Sequence, residues 1–176
     1  MAAWNIIDHT ELTGTATTYT KSSIPSSYEH LYFLVSARNN TSSIDINNTF
    51  YFNNSTAADY SYTTLFTQLT GTTISAGVSN AQSHIIGVYS AGSTVFNDTF
   101  AVTEIWIPNY SNTSNWKQAV IKNVVPNDST SDYNRRVMNV AGLWQSTAAI
   151  NRIDLVASSG SFMAESTFTL YGINGA

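Results

Sequence analysis

Apolar side chains recur at every second position along most of this chain, in short runs separated by clusters of Asn, Ser, Gly and Pro. The clearest runs cover residues 96–108 and 161–173. Alternation with a period of two gives a β-strand two distinct faces, whereas a helix would need apolar spacings of three and four. We therefore predict an all-β fold, an antiparallel β-sandwich that is jelly-roll-like, with about eight to ten strands.

The predicted strands follow one another at intervals typical of a sandwich, and no flexible linker divides the chain. Residues 1–176 are therefore predicted to form a single β-sandwich domain. Residues 71–80 are polar and are interpreted as a weak strand or a loop. The other predicted strand regions are residues 11–20, 30–38, 44–52, 59–69, 83–89, 96–108, 116–125, 135–144, 148–156 and 161–173. Three glycines in these regions are interpreted as bulges or close backbone approaches: Gly87, Gly142 and Gly172.

Charged residues make up only 10% of the chain, while 23 Ser, 23 Thr and 18 Asn supply much of its polarity. A polar but uncharged surface suits a protein that packs among others in an assembly, because it creates little long-range repulsion. The net charge is −4, and Arg135 and Arg136 form the only adjacent basic pair. Nucleic-acid binding requires clustered basic groups, so we exclude it and expect this pair to flank a turn in solvent.

The chain contains no cysteine, which excludes disulfides, thiolate metal sites and cysteine nucleophiles. Its first residues show neither the basic start nor the apolar run of a signal peptide. No apolar stretch approaches the length of a membrane span. We expect a protein that is made in the cytoplasm and is not inserted into a membrane.

Groups that could support catalysis or bind a metal are dispersed along the sequence. The three histidines lie far apart and lack a second ligand at a suitable spacing: His9, His30 and His84. No Gly-x-Ser-x-Gly elbow is present for a serine nucleophile. Glu104 and Asp154 lie in strand regions and are interpreted as exposed-face groups or as cross-strand partners of Arg152. We predict no catalytic residue, metal ion or cofactor, and we do not expect an enzyme.

Aromatic residues supply the candidates for a binding surface. The tryptophans in apolar surroundings are assigned to the core: Trp4, Trp106 and Trp144. Tyr110 and Trp116 flank a polar segment of Ser, Asn and Thr. Aromatic rings in such settings stack on sugars or anchor protein interfaces. Tyr110 and Trp116 are therefore the candidate interface or glycan contacts, with packing as the alternative for both.

Several blocks in order along the chain resemble one known family. Residues 23–38 read SIPSSYEHLYFLVSAR, and Phe52-Asn53 precedes the tetrapeptide DYSY at residues 59–62. Later blocks are EIWIPNY at 104–110, GLW at 142–144, AINRI at 149–153 and FMAESTFTLYGI at 162–173. Together they resemble small virion proteins of tailed bacteriophages, including phages of cyanobacteria and marine bacteria.

The resemblance implies a non-enzymatic protein on the exterior of a virion, produced in the host cytoplasm. The leading expectation is a capsid decoration or cement subunit that binds the major capsid protein and forms a homo-oligomer, for which a trimer at local three-fold positions is one form. The alternative is a tail fibre or receptor-binding module that recognises host surface glycans. An enzyme that cleaves host glycans is a third hypothesis, for which the resemblance supplies no catalytic residues.

Overall fold

The structure is a computed structural model that describes residues 3–68, 74–126 and 136–174. All regular secondary structure in these ranges is β-strand. The strands are β1 Trp4–Glu11, β2 Thr18–Lys21, β3 His30–Ala37, β4 Asp45–Phe52, β5 Tyr60–Gln68, β6 Ile74–Gln82, β7 Ile85–Ala91, β8 Ala101–Ile107, β9 Lys117–Val125, β10 Arg136–Trp144, β11 Ile153–Val156 and β12 Thr167–Ile173. Buried and exposed side chains alternate strictly in β9, as a period of two requires.

Eight of these strands form a jelly roll, so the predicted fold class is confirmed. They pair in a nested series, β1 with β12, β2 with β11, β3 with β8 and β4 with β7, and every pair is antiparallel. Rolling this long hairpin produces two facing sheets, with strand orders β1-β12-β3-β8 and β2-β11-β4-β7.

Two additional strand pairs, β5–β6 and β9–β10, extend the first sheet. Its complete order is β1-β12-β3-β8-β9-β10-β5-β6, and β6 forms the far edge. Strand β7 of the smaller sheet packs across β8, β9, β10 and β5 and covers the inner side of this extension. On the opposite side, no further layer is present among the described residues.

The core lies between the two sheets and is rich in aromatic rings. Tyr19 stacks between Phe33 and Phe168, whose ring centroids lie 5.2 and 4.8 Å from its own. Further buried rings continue this packing along the core: Phe50, Phe52, Tyr60, Trp144 and Phe162. Burial of large rings in contact with one another is the main source of stability in such a sandwich.

The strand pattern departs from the prediction near the N-terminus. Residues 11–20 do not form one strand, because β1 ends at Glu11 and β2 begins at Thr18. Apolar and polar residues do not alternate in the sequence of β1, which has no clearly buried face. Its strand conformation is held by pairing with β12. The ambiguous region at 71–80 contains β6 from Ile74, while residues 71–73 lie outside the described ranges. The described residues therefore contain twelve strands rather than eight to ten.

Two local expectations have different outcomes. Gly172 is a point of close approach, since a Cβ atom there would lie 2.3 Å from the ring of Tyr28. Arg136 does not flank a solvated turn: its Nε lies 3.0 Å from a carboxylate oxygen of Asp45, and its guanidinium lies 4.2 Å from the ring centroid of Tyr89. Arg136 thus connects β10 to the smaller sheet. Arg135 lies outside the described residues.

Candidate interaction face

Tyr110, one of the two predicted contact residues, is fully buried. Its hydroxyl donates a hydrogen bond to the carbonyl oxygen of Pro25, and its own carbonyl accepts one from the backbone N–H of Ile150 at 2.9 Å. The ring therefore joins three loops inside the protein. The expectation that Tyr110 offers an exposed surface is wrong. Residues distant in sequence enclose its side chain, and they form hydrogen bonds with its hydroxyl and with its backbone carbonyl.

Trp116, the other predicted contact residue, is 52% exposed immediately before β9. The preceding loop is ordered by Asn112, whose Oδ1 accepts hydrogen bonds from the backbone N–H groups of Ser114 at 2.7 Å and Asn115 at 3.0 Å. The buried Lys117 follows Trp116, and its Nζ donates to the carbonyl oxygen of Asn115 at 2.7 Å. Trp116 is available to a partner, and its contact role stays a prediction.

The polar groups considered for chemistry are engaged in internal contacts. Arg152 donates to both carboxylate oxygens of Asp154, at 2.9 Å from Nε and 2.7 Å from Nη2. The predicted pairing is therefore present, but it joins residues two positions apart rather than neighbouring strands, and Asp154 is buried rather than exposed. His9 Nδ1 lies 2.8 Å from Thr169 Oγ1. Within residues 3–68, 74–126 and 136–174, no group of three His, Cys, Asp or Glu side chains is placed to bind a metal ion. The same ranges contain no helix that could cross a bilayer.

The most extensive unusual surface is the side of the large sheet that faces away from the core. Strand register aligns fifteen of its side chains in three rows that run across β8, β9, β10, β5 and β6, and we call these fifteen residues the outer face. The first row is Trp106, Val120, Ala141, Thr63 and Val78; the second is Glu104, Lys122, Asn139, Leu65 and Ala76; the third is Val102, Val124, Val137, Thr67 and Ile74.

Apolar side chains dominate the outer face, although no layer formed by the described residues covers it. Six of its aliphatic residues are between 43% and 63% exposed, and Val78 reaches 71%; the six are Leu65, Ile74, Val102, Val120, Val124 and Val137. Scattered exposed aliphatics are ordinary on soluble proteins, but a contiguous apolar patch marks an interaction site. The third row is the strongest case, because valine or isoleucine occupies four of its five positions.

The outer face carries only two charged side chains, and they have opposite sign. Glu104 on β8 lies directly opposite Lys122 on β9 in the strand register. Their charges compensate each other locally, so the outer face has no net charge. A partner can therefore cover it without burying an excess of either sign.

An aromatic cluster continues the same side of the sheet toward β1. Trp4 contacts Tyr32 and Tyr171, with ring centroids 5.1 and 5.8 Å apart, and His30 lies 5.2 Å from Trp106. We call these five residues the aromatic cluster. Trp4 is 55% exposed, and Trp106 is half-buried on the outer face, so assigning these two tryptophans to the core is wrong. Trp144 does lie in the core, as predicted.

A shallow cleft of 310 Å³ lies where the aromatic cluster meets the outer face. It is lined by Tyr32, Glu104, Trp106, Val120 and Lys122. Partial burial, together with the nearby Glu104 carboxylate, raises the pKa of Tyr32 to about 12. Its hydroxyl therefore keeps its proton at neutral pH. The cleft combines apolar ring surface with a hydroxyl, a carboxylate and an ammonium group.

Sequence reasoning identified the strands of the outer face but not its exposure. In β8 and β9 both alternating sets of side chains include apolar residues, so periodicity could not indicate which set faces the core. Apolar residues on both faces of a strand are the sequence feature that could have indicated the outer face, because such a strand needs cover on both sides. In the part of the chain that the structure describes, only one side of these strands is covered.

The chain matches no family model, no curated protein and no solved structure.

Proposed function

We propose that this chain is a non-enzymatic structural subunit of a phage virion, a decoration or cement protein on the capsid exterior that binds the major capsid protein through its outer face. The observation that carries the proposal is the apolar outer face itself, three aligned rows with only one compensated pair of charges. The sequence blocks that resemble phage virion proteins supply the class of assembly.

The size of the outer face is consistent with a stable contact. Five neighbouring strands span about 20–24 Å, and the three rows cover five residues, or about 17 Å, of each strand, which gives roughly 400 Å² in projection. Specific interfaces bury about 800 Å² of accessible surface per partner, and the relief of the side chains adds to the projected value. The outer face therefore supplies about half of the area of a stable contact, and the adjoining aromatic cluster extends it.

The low charge of the chain favours close packing of many copies in an assembly. Only 10% of its residues are charged, so neighbouring subunits on a capsid repel one another weakly. The internal pairing of Asp154 with Arg152 supports a structural rather than a catalytic use of these groups. We further propose that the subunit acts as a homo-oligomer and resides on the virion exterior after synthesis in the host cytoplasm.

Cryo-EM and mass spectrometry of purified virions test this proposal. We expect the chain on the particle surface, with the outer face turned toward the capsid. Its absence from the particle, or an outer face exposed to solvent in the assembled virion, would contradict the proposal. Turnover of host polysaccharide by the purified protein would contradict its non-enzymatic part.

The cleft supports a second candidate function, a tail fibre or receptor-binding module for host surface glycans. Pyranose rings stack on aromatic side chains, and their hydroxyls hydrogen-bond with carboxylate and ammonium groups, both of which line the cleft. Val120, Glu104 and Lys122 belong to the cleft and to the outer face alike. A partner that covers the outer face would therefore close the cleft, so the two functions compete for one surface.

A glycan array and a host-cell adsorption assay separate these candidates. Under the second one, the protein binds a defined glycan and Trp106→Ala abolishes binding. Trp116→Ala removes an exposed tryptophan outside the cleft. Loss of glycan binding in this variant rather than in Trp106→Ala would place the contact at Trp116. Absence of glycan binding and of adsorption would exclude the second candidate and leave the capsid contact.

A further inference from the structure

We infer that β6 is a self-association edge, through which two copies of this chain pair their β6 strands antiparallel and join their large sheets into one. This inference does not depend on the virion proposal. It concerns the edge of the large sheet rather than its outer face, and it names a second copy of this chain as the partner.

The four sheet edges differ sharply in how open they are. β1 carries Asp8, His9 and Glu11 and is interrupted by a register shift between Ile6 and Asp8. β2 has only four residues, and β7 is buried at nearly every position. Charges, irregular register, short length and burial are the usual protections against unwanted strand pairing. Three of the four edges therefore have at least one of these protections.

β6 lacks them over most of its length. Its sequence, ISAGVSNAQ, contains no charged residue and no proline. In the described part of the chain its one strand neighbour is β5, and the register between them is regular from Ile74 to Ser79. An irregularity occurs only at the end, where Ala81 has a positive φ of 53°. About six residues of unpaired backbone, some 20 Å, are therefore available to another strand.

The chemistry of β6 favours a second copy as that strand. Antiparallel self-pairing places uncharged residues opposite uncharged residues, so no like charges meet across the strands. The outward side chains of Ile74, Ala76 and Val78 would face their counterparts and bury exposed apolar surface. Head-to-tail growth would instead require pairing with the charged, irregular β1 edge. A closed two-fold dimer, the commonest form of homo-oligomer, is the arrangement that remains.

The dimer would also enlarge the candidate interaction surface. A two-fold axis perpendicular to the sheet reverses the strand direction but keeps the same side of the sheet uppermost. Both outer faces would then lie on one side of a continuous sheet of sixteen strands. Any contact made through one outer face would be available in two copies, which strengthens binding to a repetitive surface.

Sedimentation and light scattering on the purified wild-type chain test the association. We expect a species of twice the chain mass at protein concentrations of about 100 µM, in the range where a small interface associates. Ala76 lies near the centre of the regular segment, so Ala76→Lys places two ammonium groups near each other across the axis, and we expect it to lower the association constant at least about tenfold. Val124→Lys is the matched control on the outer face, away from the edge, and should leave dimerisation intact. Circular dichroism establishes that each variant is folded.

Single cysteines locate the contact, because the natural chain has none. Ala76→Cys, Val78→Cys and Asn80→Cys sample the outward positions of β6, and at least one should form a covalent dimer on mild oxidation. Disulfides require Cα atoms about 4.4–6.8 Å apart, so Val120→Cys, three strands away, should not crosslink. A monomer at all concentrations, a trimeric mass, crosslinking through Val120→Cys alone, or equal loss of association in both lysine variants would overturn the inference.

Discussion

Asp8 shows how a single side chain couples the stability of this fold to pH. Its carboxylate accepts hydrogen bonds from Tyr19 Oη at 2.9 Å and from Lys21 Nζ and Thr10 Oγ1, both at 3.1 Å. Partial burial alone would raise the pKa of Asp8, but these three donors together lower it below the ordinary value of 3.8. As the pH falls, the unfolded chain therefore binds a proton at this position before the folded protein does.

We expect Asp8→Asn to lower the free energy of unfolding by about 1–2 kcal/mol at neutral pH, because hydrogen bonds to a charged acceptor are lost. The contribution of the carboxylate is fully present above pH 3.8 and is lost as the pH falls through the lower folded pKa. Urea unfolding of both proteins at pH 7, 5 and 2.5 measures this, and the difference should shrink at the lowest pH. Tyr19→Phe, which removes one donor, should reproduce part of the effect. A difference that does not change with pH would contradict the assignment.

Gly172 and Tyr28 provide a test of close packing. An added Cβ at position 172 would lie 2.3–2.6 Å from three atoms of the Tyr28 ring, so the ring would have to move. We expect Gly172→Ala to destabilise the protein by about 1–3 kcal/mol, the usual cost of overpacking. Tyr28→Ala in the same chain removes the obstacle, so the double variant should lose less than the sum of the single variants. Strict additivity in denaturant unfolding would show that the ring is not the cause.

At the residue scale, the sequence predicts local pairs better than distant ones. Arg152 and Asp154 are two residues apart on one strand region, and their pairing could be proposed directly. The burial of Tyr110 could not, because its hydroxyl bonds to Pro25, 85 positions away. This hydrogen bond depends on the sheets, which bring the loops that contain Pro25 and Tyr110 together in the folded protein.

At the scale of one strand, β9 separates the two sides of the large sheet. Ile121 is fully buried, whereas the adjacent Val120 is 47% exposed on the outer face. We expect Ile121→Ala to lower the free energy of unfolding by about 2–4 kcal/mol, since it leaves a cavity in the core. Val120→Ala on the same strand should cost less than about 1 kcal/mol. Denaturant titration of the two variants measures the contrast, and equal losses would mean that the outer face is covered in solution.

The strands themselves were predictable where one face is buried and the residues alternate. β8 and β9 fall within the predicted regions for this reason. β1 was not predictable, because the energy that holds it as a strand comes from pairing with β12 rather than from its own pattern. The exposure of Trp106 was not predictable either, since the apolar character of a side chain does not indicate on which side of the sheet it lies.

At the scale of the whole molecule, the jelly roll determines which apolar surface is covered. The smaller sheet has four strands and the larger has eight, so one small sheet covers the inner side of most of a wide one. The alternation in the sequence was sufficient to predict a sandwich. It could not predict that β5–β6 and β9–β10 extend the large sheet, or the outer face that they create, because both depend on strand order across the sheet rather than on local pattern.

The outer face predicts how binding to a virion should respond to salt and to added charge. Because it has no net charge, attachment of the purified protein to virions that lack it should change less than about threefold between 0.05 and 0.5 M NaCl. Val124→Lys and Val137→Lys introduce charge into the third row and should weaken attachment at least about tenfold, since an unpaired ammonium would be buried. Ser27→Lys, at an exposed loop position outside the fifteen residues of the outer face, is the matched control and should bind like the natural chain. Quantitative pull-down on particles measures all four proteins. Strong weakening by salt, or equal loss of binding in the Ser27 control, would indicate an electrostatic contact elsewhere on the surface and would rule out docking through the outer face.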